Sequence, residues 1–151
     1  MLLDEITPLR SVGDIWLGAK EDDVTKALGT DFARTVDEEG DVGIEYRSLG
    51  LRFVFWSDYG FKLGCIGVER TSASILGRGL SGQNKEQIER FIVDRLNTSI
   101  SEANGCIHDD GSVQEWMDVD AQGLSFWFDN DALYLIDVSC DWTDTDEPKW
   151  P

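Results

Sequence analysis

Twice along the chain a glycine opens the same alternation of large apolar and variable positions. Gly50-Leu51-Arg52-Phe53-Val54-Phe55-Trp56 is matched 73 residues later by Gly123-Leu124-Ser125-Phe126-Trp127-Phe128-Asp129. A period of two places Leu, Phe and Phe on one face of a strand in each copy. The other face carries Arg52, Val54 and Trp56 in the first copy, and Ser125 and Trp127 in the second. A polar turn follows each (Ser57-Asp58-Tyr59-Gly60 and Asp129-Asn130-Asp131). After it comes a second apolar run, Phe61 to Val68 or Ala132 to Val138, so each copy reads as a hairpin.

The elements ahead of the hairpins repeat as well. In the first half, an apolar lead-in from Ser11 to Gly18 precedes Ala19 to Gly29, where Val24, Ala27 and Leu28 form a stripe at helical spacing. The acids Glu21, Asp22 and Asp23 favour its N-terminus and Gly29 its end, although Lys20 is a poor N-cap. In the second half, Lys85 to Leu96 places Ile88, Phe91, Ile92 and Leu96 on one face, behind a capping-box-like Asn84 and Gln87. One strand is predicted after each helix, Val42–Ser48 with Ile44 and Tyr46 inward, and Val113–Val119 with Met117 and Val119 inward. Glu115 falls on the inward face of the latter, which suits a position at the sheet's rim.

The expected fold is therefore α+β: two helix-plus-three-strand repeats, residues 11–70 and 75–140, forming one antiparallel sheet with both helices packed on one face. Residues 30–41 and 97–112 read as long loops, residues 76–82 as a flexible glycine-rich connector, and residues 141–151 as a loosely held acidic tail. At 151 residues, 41% hydrophobic and 11% aromatic, the chain suffices for a single domain with a sizeable core.

Charge changes the picture. With 30 acidic residues against 13 Lys and Arg the formal net charge is −17, which disfavours direct contact with a nucleic acid backbone. The imbalance is one-sided, because residues 109–151 hold twelve acids and a single base, Lys149. Such a field suits a basic protein surface. Cys65, Cys106 and Cys140 cannot all pair and show no metal-ligand spacing, so they are expected to be reduced, as in the cytoplasm. No signal peptide is read at the N-terminus, and no apolar run is long enough to cross a membrane.

Candidate chemistry is sparse. The single histidine, His108, lies in a polar stretch with Cys106 and Asp110, at no recognised ligand spacing. Asp37-Glu38-Glu39-Gly40-Asp41 lacks the pattern of a calcium loop, and Leu76 to Gly82 lacks the ending of a phosphate loop. Hence no catalytic residue, metal site or cofactor is assigned, and oligomeric state is left open. A surface remains: if the Leu-x-Phe-x-Phe faces meet the helices, Trp116 and Trp127 stand on the other side of the sheet as anchors for a partner. Asp109, Asp110, Glu115, Asp118, Asp120, Asp129 and Asp131 complete the expected partner-binding set as steering charges.

The lead-in Gly13-Asp14-Ile15-Trp16-Leu17-Gly18, a helix ending Ala27-Leu28-Gly29 and the Gly-Leu-x-Phe-x-Phe hairpin resemble toxin immunity proteins of bacterial contact-dependent inhibition systems. The doubled helix and antiparallel strands are also similar in architecture to beta-lactamase inhibitory protein, though without its paired cysteines. The resemblance implies a cytosolic antidote that covers the active site of a toxin domain, with a nuclease as the leading candidate. Such a toxin carries a basic substrate groove. The alternative is a regulatory small-ligand or interaction module without enzymatic activity.

Overall fold

The computed structural model describes residues 3–151. Strands dominate it. Three short ones open the chain, β1 (Glu5–Thr7), β2 (Ser11–Val12) and β3 (Ile15–Trp16), ahead of helix α1 (Glu21–Leu28). Four more follow: β4 (Ala33–Val36), β5 (Val42–Tyr46), β6 (Leu51–Trp56) and β7 (Lys62–Val68). The short pair β8 (Ser74–Ile75) and β9 (Arg78–Gly79) leads to α2 (Lys85–Asp94). A second set of four comprises β10 (Glu102–Ile107), β11 (Val113–Val119), β12 (Leu124–Asp129) and β13 (Ala132–Ser139). The chain closes on β14 (Asp141–Trp142) and β15 (Pro148–Lys149).

These elements correct the expected architecture. The α+β reading of two helix-plus-three-strand repeats in one sheet is not what forms: the described chain is mostly β, with two helices and three sheets, and each helix is followed by four strands of the eight-stranded sheet. The main sheet has eight antiparallel strands in the order β10-β11-β12-β13-β7-β6-β5-β4, so the two meanders meet at β13 and β7. The additional strands, β4 and β10, lie inside the stretches read as loops and form the two edges. Every residue of both is exposed. With no buried side to select apolar residues they show no alternation, and their order comes from ladder hydrogen bonds to β5 and β11.

A second sheet, in the order β3-β2-β1-β8-β9, joins the lead-in to the glycine-rich connector through a parallel pairing of Ile6 with Ile75. The connector is thus a hairpin rather than a flexible link; the Glu5 carboxylate accepts from Ser74 Oγ and from the Gly77 amide. Its strands are two residues long, too short to display a period. The expected loose tail is likewise a hairpin. Trp142 stacks on Trp56 at 5.5 Å, and Trp150 lies 6.1 Å from Trp56 and within 3.3 Å of where a Cβ on Gly18 would stand. Burying indole surface stabilises what charge alone would leave loose.

One hydrophobic cluster unites these parts. It takes Leu51, Phe53, Phe55, Leu124, Phe126 and Phe128 from the main sheet, Val24 from α1, Ile88, Phe91 and Ile92 from α2, and Ile6 and Ile75 from the small sheet. Helix α2 starts as its sequence suggests, with the Asn84 side chain accepting from the Gln87 amide and Gln87 Oε1 accepting from the Asn84 amide.

The two halves match in local geometry. Each β-strand pair β5–β6 and β11–β12 is joined by a 3-10 turn ending in a left-handed glycine, Gly50 at φ 63° and Gly123 at φ 61°. Each following hairpin then carries a bulge at the same level, Gly64 in β7 and Tyr134 in β13. The hairpin loops themselves differ in length.

Candidate functional site

The main sheet turns its second face away from the cluster, and the alternation of each strand decides what stands there. From β11 come Gln114, Trp116 and Asp118, from β12 Ser125, Trp127 and Asp129, and from β13 Leu135, Asp137 and Ser139. From β7 come Cys65 and Gly67, from β6 Arg52 and Val54, and from β5 Gly43 and Glu45. Trp116 and Trp127 are direct cross-strand partners, both half-buried, with rings 5.3 Å apart. They form a ridge beside Leu135, the cross-strand partner of Trp127, which is only 5% exposed although it lies outside the main cluster.

Polar groups fix the ridge. Trp127 Nε1 donates to Asp137 Oδ2 at 3.0 Å, Ser125 Oγ donates to Asp118 Oδ1 at 2.7 Å, and Gln114 Nε2 donates to the Tyr134 hydroxyl at 2.7 Å. Burial pushes the Asp137 carboxyl above the usual range, against the opposing pull of Arg52 and of the Trp127 hydrogen bond. The neighbouring Cys65 thiol is pushed up to about 12, by burial first and by the Asp137 charge second. At neutral pH that thiol is protonated and a poor nucleophile.

Of the residues chosen from sequence, Trp116, Asp118, Trp127 and Asp129 share this outward face. Asp120 sits at its rim in the turn before Gly123, where its amide donates to Ser101 Oγ. Asp109 and Asp110 lie in the β10–β11 turn. There Asp110 Oδ1 accepts from both the Ser112 hydroxyl and amide, bonds that hold its carboxyl below the usual range. Glu115 and Asp131 are elsewhere. Glu115 points to the helix side and pairs with Lys85 Nζ at 3.0 Å, and Asp131 accepts from the Lys85 amide at the start of α2. These two belong to the anchoring of α2, and the inward position of Glu115 was already visible in the strand's alternation.

Sequence reasoning missed Asp137, Leu135 and Tyr134, because β13 was read as a uniform apolar run. The bulge at Tyr134 shifts its alternation, and nothing in composition marks that shift. The three cysteines are all free, and among the described residues no three His, Cys, Asp or Glu side chains gather as a metal site. No described helix is long and apolar enough to cross a membrane.

The chain matches no family model, and no curated protein is similar to it in sequence. Among solved structures, an extracellular protein containing a SCP domain from Bacillus anthracis strain Ames aligns with a TM-score of 0.48 and 10% identity. The alignment covers 83% of this chain and 44% of that one, so the chain spans less than half its length. A likeness this distant decides nothing about function.

Proposed function

We propose that the chain is an immunity protein that binds a basic toxin domain, with a nuclease as the leading candidate, and neutralises it by covering the active site rather than by chemistry of its own. In this reading it works in the cytoplasm. The observation that carries it is the half-buried Trp116–Trp127 ridge on an outward sheet face, bordered by Asp118, Asp129 and the exposed Asp109, Asp110 and Asp120. Aromatic anchors of this kind retain a partner, whereas surrounding carboxylates steer a cationic one and lose influence beyond about 8 to 10 Å in physiological salt. The same basic groove that a nuclease needs for phosphates is what such a field would attract.

The test first asks whether a basic toxin-like domain is encoded beside this gene and then assays that domain, purified, with and without the chain. Stoichiometric inhibition of that domain is expected, with association slowed and its salt dependence flattened when Asp109, Asp110, Asp118 and Asp120 are replaced by Lys. A neighbouring basic domain that is neither bound nor inhibited, or that binds the four-lysine variant equally fast, would overturn the reading.

A further inference from the structure

Beside the tryptophan ridge the same face has an open hollow of about 380 Å³. Its floor is Gly43, Val54 and Cys65, successive cross-strand neighbours. In the second half the matching ladder positions hold Trp116, Trp127 and Leu135. The hollow is therefore the space that two indoles fill in the other copy. Elsewhere the chain lays indoles on glycine backbone: the Trp56 ring occupies the place of a side chain on Gly64, and Trp150 covers Gly18. Over Gly43 no indole lies, but Thr35 Oγ1 stands 2.9 Å from where a Cβ would be. Beside that hydroxyl, the floor at Val54 and Cys65 is left open to a planar ring.

The rim adds polar selectivity. Gly67 lets the Arg52 guanidinium and the Asp137 carboxylate lie together over its Cα. Their nearest N–O distance, 3.8 Å, is too long for a hydrogen bond, and Arg52 remains 45% exposed. Asp137 Oδ2 is taken by Trp127, which leaves Oδ1 facing Arg52. On the far rim Arg47 stands 3.6 Å from Glu45. Two guanidinium groups and two carboxylates balance, so the hollow is locally neutral on a chain of net charge −17. Such a rim offers a donor fork and an acceptor to one flat ligand, and the field of the whole chain opposes phosphate. An indole or phenyl group would cover the floor but leave the Arg52 fork without an acceptor.

We infer that this hollow binds an uncharged purine-type heteroaromatic ring, a nucleobase or nucleoside, stacked on Val54 and Cys65 beside Gly43 and Thr35, with its acceptor edge toward Arg52 and a ring N–H toward Asp137. The inference does not rest on toxin neutralisation. Inosine titrated into the full-length, isotope-labelled chain and followed by amide NMR tests it. Saturable shifts centred on Gly43, Val54 and Gly67 are expected, with a Kd of about 1 mM or tighter for a ligand of this size. Inosine 5′-monophosphate is expected to bind several-fold more weakly, the deficit shrinking with added salt. Arg52→Met should weaken inosine binding by about tenfold. Val54→Trp, which imposes the second half's residue, should abolish it, and Cys65→Leu offers the same obstruction should Val54→Trp fail to fold. Shifts that stay linear, that centre on Trp56 and Trp142, or that persist in either folded obstruction variant would overturn the inference, as would unchanged affinity in Arg52→Met.

Discussion

The first and second meanders are alike on one face and unlike on the other. Toward the core, Leu51, Phe53 and Phe55 match Leu124, Phe126 and Phe128 residue for residue, and all six are essentially buried. Toward the outside, Gly43 stands where the other half has Trp116, Val54 where it has Trp127, Arg52 where it has Ser125, and Gly67 where it has Asp137. Both inward faces must fill the one cluster they share with the helices and the small sheet at native density, which leaves little freedom of volume. The outward positions carry no such constraint, so one half can build a ridge and the other a hollow on a shared frame.

The largest effects should fall on the shared face. Phe53→Ala and Phe126→Ala are each expected to cost about 3 to 5 kcal/mol in urea unfolding, since each empties a fully buried site. A difference of several kcal/mol between them would show that the halves do not bear equally on the core. The glycine turns should sharpen the contrast. Gly50→Ala is expected to cost about 1 to 2 kcal/mol for its left-handed backbone. Gly123→Ala should cost more, because its Cβ would overlap the Ser139 carbonyl as well.

On the outward face the effects should shrink in stability and appear in binding. Trp127→Ala is expected to lower stability by about 1 to 2 kcal/mol, yet to speed dissociation from a bound basic partner by about 30-fold or more if the indole is a hot spot. Loss of stability equal to that of Phe126→Ala would place Trp127 in the core and end its role as an anchor.

The smallest effect belongs to Asp137. Its carboxyl is raised by burial, so it contributes stability below the ordinary aspartate range that is lost as pH rises through its folded value. Asp137→Asn keeps an acceptor for Trp127 and removes the ionisation cost. Its stability relative to the unaltered chain should therefore be higher at pH 7 than at pH 4, as comparative urea unfolding at the two values would show.

Legibility from sequence followed burial. Leu-x-Phe-x-Phe, the α2 stripe and its Asn84–Gln87 cap were readable because a core or a cap dictates residue types at fixed spacing. β4 and β10 were not, since exposed edge strands answer to hydrogen-bonding partners far along the chain instead of to any local pattern. The Trp116–Trp127 pair was legible from alternation on two strands. The hollow was not, because an absence of volume at Gly43 has meaning only beside the half that fills it.

The junction of β7 and β13 has a kinetic consequence. Each meander is built from neighbours in sequence, whereas the seam pairs Val68 with Ile136 and Ile66 with Val138. Closing a loop of that length costs chain entropy before the contacts reward it. The two meanders should therefore gain their turns early and dock late, with the seam among the last ladders to form on refolding. Mutations at Val68 or Ile136 should then speed unfolding while leaving the refolding rate nearly unchanged only if docking follows the transition state. If they slow refolding instead, joining the halves is itself the rate-limiting event.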